Sequence, residues 1–157
     1  MLIVDTREKP QAIAKILDYM QRSGVEYMHS KLIVGDYMIF KRPNRIVDRK
    51  QNIEELAKNC TTDHKRFKAE LERAADLGVE LVILVEQDRY WDRGKLIMVR
   101  SIADLMLWES QYSTIRGERI YRILANWQHK YPMRVEFCSK SETGRKILEI
   151  LENCDQR

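Results

Sequence analysis

The amino-acid sequence predicts an α/β fold, a central mixed β-sheet with helices on both faces. Three features carry the prediction. Residues 79–85 (VELVILV) are almost continuously apolar and β-branched, which suits a central strand covered on both sides. Met38–Phe40 and Arg45–Arg49 are short extended runs joined by a basic segment containing Pro43-Asn44, the pattern of a strand hairpin. Elsewhere apolar residues repeat at helical spacing between strand-like segments, an alternation that builds sheets with helices on their faces.

Taken in order, Leu2-Ile3-Val4 reads as a short buried strand ending at Asp5. Pro10 suits the first turn of a helix, where its missing N–H is no loss. Ile13, Ile16, Leu17 and Met20 then make one apolar stripe before Ser23-Gly24 stops it. Val25 to Leu32 is extended, and Gly35 sets a turn into the hairpin. After Lys50 the period becomes helical. Ile53, Leu56, Ala57 and Cys60 lead to a break at Thr61-Thr62-Asp63, and Phe67, Leu71 and Ala74 carry the next helix to Gly78.

Beyond the strand at 79–85, Gln87–Lys95 (QDRYWDRGK) reads as a loop mixing cations with aromatics, and Leu96–Val99 as a short strand or a loop edge. Ser101 with Asp104 is expected to cap a helix through about Gln111. Ser113-Thr114 is expected to cap a second one carrying Ile120, Ile123, Leu124, Trp127 and Tyr131. Met133–Phe137 is a further strand, and Ser139 with Glu142 a capping box for a last helix with Ile147, Leu148 and Leu151 inward.

At 157 residues, 44% hydrophobic and 33% charged, the chain is expected to be one ordered domain spanning residues 1–157, with no linker or internal repeat. A charge at the fifth residue argues against a signal peptide, and no apolar run approaches the ~20 residues of a membrane span. Cys60, Cys138 and Cys154 are odd in number and widely spaced, the three His are scattered, and neither a disulfide framework nor a zinc site is indicated. The expected setting is intracellular and cytoplasmic, nucleoid-associated in a prokaryote or virus, without a membrane partner. A net charge of +4 permits a phosphate-bearing partner without requiring one.

The chemistry concentrates between Lys31 and Leu56. Phosphodiester cleavage needs an attacking water, stabilisation of charge on the phosphoryl oxygens and help for the leaving oxygen. A Mg²⁺ held by one or two carboxylates supplies much of this. Asp36 on a Gly-Asp turn and Asp48 near the end of the second strand are candidate ligands, and the Arg49 carbonyl a further one. Side chains alternate along a strand, so Lys50 points with Asp48 and Arg49 points away. Lys50 is then placed to orient or deprotonate the water, or to neutralise the phosphorane.

Asp36 followed twelve positions later by Asp48-Arg49-Lys50 resembles the PD-(D/E)XK nuclease superfamily. The set is more specifically similar to the nuclease domain of the XPF family of structure-specific DNA endonucleases. Val4-Asp5-Thr6-Arg7-Glu8 matches that family's Val-Asp-x-Arg-Glu at the end of the first strand, and Gly35-Asp36-Tyr37 its Gly-Asp-Tyr. Val47-Asp48-Arg49-Lys50 with Glu54 matches its Val-Glu-Arg-Lys and following acid, with aspartate and glutamate exchanged at 48 and 54. The similarity thins after Glu86 and returns from Met133 to Leu151.

The resemblance implies a restriction-endonuclease-like fold and a Mg²⁺- or Mn²⁺-dependent endonuclease acting on branched, flapped or forked DNA. It implies Asp36 and Asp48 as metal ligands and Lys50 as the catalytic lysine. Asp5 and Glu8 would be neighbouring catalytic acids, and Arg7 and Arg49 would contact phosphate or tie the acids in place. Lys65 and Arg66, with Lys68 and Arg73, form a basic patch that grips DNA backbone or is a solvated helix face. The family's helix-hairpin-helix and helicase domains have no room in this chain, so a stand-alone nuclease is expected. It would act as a homodimer or beside another DNA-binding subunit, with no small-molecule cofactor. The alternatives are a non-catalytic DNA-binding or scaffold module of the same family, and another superfamily nuclease such as a junction resolvase.

Overall fold

The computed structural model of the protein describes residues 1–153; Cys154 lies outside them. Its strands are β1 (Leu2–Val4), β2 (Tyr27–His29), β3 (Tyr37–Ile39), β4 (Arg42–Lys50), β5 (Glu80–Val85), β6 (Arg89–Asp92), β7 (Lys95–Met98) and β8 (Met133–Phe137). Six of them form one sheet in the order β2-β1-β3-β4-β5-β8, and β6 pairs only with β7. The sheet is mixed: β1–β2, β4–β5 and β5–β8 are parallel, while β1–β3 and β3–β4 are antiparallel.

Period-two alternation divides the sheet's side chains between two cores. Leu2, Val4, Tyr37, Val47, Val82 and Leu84 pack toward helices α1 (Pro10–Arg22) and α5 (Thr143–Glu152). Ile3, Ile46, Leu81, Ile83 and Val85 pack toward α2 (Ile53–Cys60), α3 (His64–Asp76) and α4 (Gly117–Lys130). The predicted central strand is therefore β5, buried on both faces. Trp108 and Trp127 both join the second core.

Five local expectations need correction. Pro43 and Asn44 belong to β4; the chain reverses at Phe40-Lys41, and the β3–β4 register shifts between Met38 and Ile39. A proline lacks the N–H a regular ladder requires and is tolerated at such an irregularity. Gln87–Lys95 is mostly not loop: β6 and β7 form a tight hairpin around Arg93 (φ 48°) and Gly94 (φ 79°). Positive φ at both central residues gives a turn whose twist suits a two-residue hairpin.

The helix expected through Gln111 is a single 3₁₀ turn at Ile102–Leu105, although the Ser101–Asp104 capping box does form. The chain then turns to bury Trp108, whose carbonyl accepts from Gly117 N at 2.6 Å, and tertiary packing overrides helix propensity. Accordingly α4 starts at Gly117 and not at Ser113-Thr114. Finally, α5 starts at Thr143 after a 3₁₀ turn, without a side-chain cap from Ser139. The Thr143 hydroxyl instead donates to Glu86 Oε2 at 2.8 Å.

Candidate active site

Asp36 is delivered by a turn that only glycine permits. Gly35 has φ +66°, and a Cβ there would lie 2.4 Å from Ile46 Cγ2. The Asp36 main chain is fixed on both sides: its N–H donates to Val47 O and its carbonyl accepts from Asp5 N, each at 2.8 Å. Its Oδ2 accepts from Arg49 N at 2.7 Å, which holds the carboxyl against the end of β4.

Asp48 and Lys50 follow Ile46 to the α2–α3 side of the sheet. Lys50 Nζ lies 3.1 Å from Asp48 Oδ2 and 5.1 Å from the centre of the Phe67 ring on α3. The ion-pair contact is close but off hydrogen-bond geometry, and buried Asp48 Oδ2 has no hydrogen-bond partner. Such an orphan in a folded protein calls for an explanation. Burial, then the neighbouring Asp48 and Glu8 charges, push the Asp36 carboxyl well above the usual carboxylate range. For Lys50, burial works against the charge, but Asp48 and Asp36 outweigh it and raise its pKa, so the ammonium persists at neutral pH. Together with Arg7, Glu8 and Glu55 these three residues line a cleft of about 290 Å³.

Arg49 occupies the opposite face. Its guanidinium is buried, donating to Glu8 Oε1 at 2.7 Å and Oε2 at 2.9 Å and pairing with Glu86 Oε1. Tyr37 OH donates to Glu8 at 2.9 Å, and burial, then the Glu8 charge, raise the phenol's pKa. This geometry ties Arg49 to the acids and leaves 5% of its side chain exposed. Asp5 is fully buried and also saturated, accepting from the amides of Arg7 (2.8 Å) and Leu32 (2.7 Å) and from the Arg7 side chain (2.7 Å). Burial works to raise its pKa, but the bonds from Arg7 and the Leu32 amide hold it below the usual range. Asp5 thus props Arg7, whose side chain is 58% exposed at the cleft, while Glu8 reaches the cleft directly.

Glu54 turns away from the cleft, accepting from Ser110 Oγ at 2.9 Å and Gln111 N at 3.0 Å. Lys65 and Arg66 lie exposed in the first turn of α3, one turn with Phe67 but outside the cleft lining. Two acids escape sequence reasoning. Glu86 closes the Arg49 network; the only signal for it is an acid directly after the apolar run of β5. Glu70 accepts from Gly35 N at 3.0 Å, and burial, then the Asp48 charge, raise its pKa.

Among the described residues, no three His, Cys, Asp or Glu side chains are grouped as a metal cage. A Mg²⁺ asks for less, one or two carboxylates with its remaining positions held by water. Asp36 and Asp48 fit that demand, because Asp48 has an orphaned oxygen and Asp36 is raised in pKa by burial and then by the charge of its neighbours.

The mixed six-stranded sheet with helices on both faces has a restriction-endonuclease-like fold. The ERCC4 domain family matches residues 4–150, and the chain belongs to that family, the nuclease family of XPF. Among the solved structures similar to it are two of one protein. One is XPF from Aeropyrum pernix, with 21% identity and a TM-score of 0.66, covering 96% of this chain and 63% of that one. The other is XPF from Aeropyrum pernix in complex with DNA, with 19% identity and a TM-score of 0.65, covering 99% of this chain and 68% of that one. This chain thus spans about 63% of the first relative's length. Among curated proteins none matches.

Proposed function

We propose that the chain is a divalent-metal-dependent DNA endonuclease, acting as one unit over residues 1–157, that hydrolyses phosphodiester bonds in branched, flapped or forked DNA. The observation that supports it most is the trio of Asp36, Asp48 and Lys50, in which a buried Asp48 oxygen lacks a hydrogen bond, set in a cleft beside a paired charge network. Asp36, Asp48 and the Arg49 carbonyl would hold Mg²⁺ or Mn²⁺, which when bound supplies charge stabilisation and an acidified water.

The chain's own groups do the rest. The Arg49 amide fixes the Asp36 carboxyl at 2.7 Å, so the ligand does not swing as substrate arrives. Lys50, with its raised pKa, enters as an ammonium and serves as a donor to phosphoryl oxygen where charge develops, in preference to serving as the base. The Lys50 ammonium lies 5.1 Å over the Phe67 ring, a cation–π contact that helps hold the charge at the cleft. Arg7, half out in solvent, is placed to meet an incoming phosphate, while Arg49 keeps Glu8 and Glu86 in position. The substrate class is DNA, by kinship with a relative solved in complex with DNA. A homodimer, or a partnership with another DNA-binding subunit, would supply the substrate grip that one small cleft lacks.

The test is cleavage of labelled duplex, flap, fork and four-way-junction DNA in Mg²⁺, Mn²⁺ or EDTA, comparing wild type with Asp36→Asn, Asp48→Asn and Lys50→Ala. Each substitution should lower the cutting rate by roughly 10²–10⁴-fold. Metal-dependent cutting that survives all three would sink the site. Retained DNA binding with no cutting by wild type would favour the scaffold reading.

A further inference from the structure

Beside the acid–lysine cleft lies a second recess of about 390 Å³, walled in part by Trp91 of β6 and Tyr112 of the loop before α4. These two rings are 71% and 85% exposed, the most exposed large apolar side chains among the described residues. Single exposed apolar residues need no explanation, but two aromatics converging on one recess with polar edges do. The edges come from Asn52, Glu54, Gln87, Arg89, Glu109 and Gln111.

The segments carrying the rings are held firmly. Ser110 Oγ donates to Glu54 and accepts from the amides of Tyr112 and Ser113, both at 3.1 Å, so the Glu54 carboxylate anchors the loop that presents Tyr112. Gln87 Oε1 accepts from Ile53 N at 2.9 Å and its Nε2 donates to Arg89 O at 2.9 Å, which fixes the β6–β7 hairpin to the start of α2. Glu86 N in turn donates to Lys50 O at 2.8 Å. The recess is thereby built onto the end of the strand that carries Lys50. Consecutive residues of α2 line the two hollows, Glu55 the cleft and Glu54 the recess.

We infer that this recess is a nucleobase subsite: it takes an unpaired base of a single-stranded DNA arm on the faces of Trp91 and Tyr112 while the adjoining backbone passes to Asp36 and Asp48. Stacking on aromatic rings is open to every base, because every base has a π-face. Two acids, Glu54 and Glu109, line the recess against one cation, Arg89, so a neutral base fits it better than a phosphate. The subsite gives the nuclease a way to require an unpaired nucleotide next to the scissile bond, and it rests on the DNA-nuclease reading above.

The test measures binding in EDTA, where no cutting intervenes. A forked DNA with 2-aminopurine as the first unpaired nucleotide is compared with a blunt duplex of the same sequence, using wild type, Trp91→Ala, Tyr112→Ala, the double variant and Trp91→Phe. Wild type should quench the unpaired 2-aminopurine on binding. The alanine variants should lose the quench and weaken fork binding by about 5- to 100-fold, with duplex binding within about twofold and Trp91→Phe close to wild type. Both rings are exposed, so folding is not at stake, and unchanged circular dichroism confirms it. Equal fork binding and quenching by wild type and variants overturns the subsite while leaving the nuclease reading intact. Unchanged fork binding with loss of self-association in sedimentation assigns the rings to a subunit contact and likewise overturns it. A wild type that binds neither DNA overturns both readings together.

Discussion

Asp48 and Arg49 are neighbours in sequence and differ in almost everything else. Arg49 points toward α1 and α5, where Glu8 and Glu86 neutralise it and Tyr37 and Thr143 complete the acids' hydrogen bonds. Asp48 points toward α2 and α3, where Lys50 is its one ion-pair partner among the described residues and one of its buried oxygens has no hydrogen bond. A single strand thus separates a closed charge network from an open one, at a spacing of one residue. The closed side resembles a structural core built of ions. The open side is strained in a way that a cation would relieve, and such local violations of polar satisfaction are what functional sites tolerate.

The sharpest way to break the contrast is to remove Arg49. Arg49→Met leaves Glu8 and Glu86 as buried carboxylates without a cation, and breaking a buried pair in this way costs about 3–5 kcal/mol. Urea or thermal unfolding should register the loss, a fall of roughly 2–4 °C for each kcal/mol in a chain of this length. A loss under about 1 kcal/mol would show that the network is not holding the fold.

The open side should respond in the opposite direction. Adding Mg²⁺ at about a hundred times its Kd should stabilise wild type by about 2.7 kcal/mol, since only the folded state assembles the ligands. Asp36→Asn should abolish that gain and, in EDTA at pH 7, itself stabilise by roughly 0.5–2 kcal/mol, as relief of functional-site strain does. The pH dependence has a definite sign. The folded pKa of Asp36 is raised, so the folded state keeps a proton that the unfolded chain, with a pKa of about 3.9, has released. Its contribution is therefore most favourable below about pH 4 and is lost as pH rises through the folded value. The advantage of Asp36→Asn over wild type should grow over that same rise, and a flat difference would contradict the burial and repulsion argument.

How much of this was legible in the sequence depended on how local the physics is. Asp36, Asp48 and Lys50 were legible because strand alternation puts residues 48 and 50 on one face and a glycine turn puts 36 beside them. The Arg49 network was not, since its members come from the loop after β1, from β4, from the end of β5 and from α5, and only the folded sheet brings them together. The β6–β7 hairpin was hidden by its composition. With Tyr90 buried and Arg89 and Trp91 exposed, the segment resembles a polar loop, and the informative signal was the two-residue Arg93-Gly94 turn. The helices misjudged at 101–116 failed where Trp108 forces an irregular path to reach the core. Glu54 shows the same limit at a single residue: it matches the family's acid after the lysine, but that its carboxylate holds the distant Ser110 loop shows only in the fold.

The smallest effect concerns the basic turn of α3 and separates a DNA-gripping surface from a merely solvated one. Arg66 pairs with Asp63 at 3.2 Å while remaining 79% exposed, and Lys65 is exposed beside it. Replacing both with alanine should shift stability by no more than about 0.5 kcal/mol, as surface changes usually do. If the two side chains neutralise phosphates, the slope of log binding constant against log salt should fall by about 0.9 for each phosphate no longer neutralised, measured on duplex DNA in EDTA. A slope equal to that of wild type would make α3 a solvated face. It would leave Arg7 and Lys9, exposed cations of the cleft lining, to meet an entering backbone, and a parallel Arg7→Ala, Lys9→Ala measurement should then carry the change in slope instead.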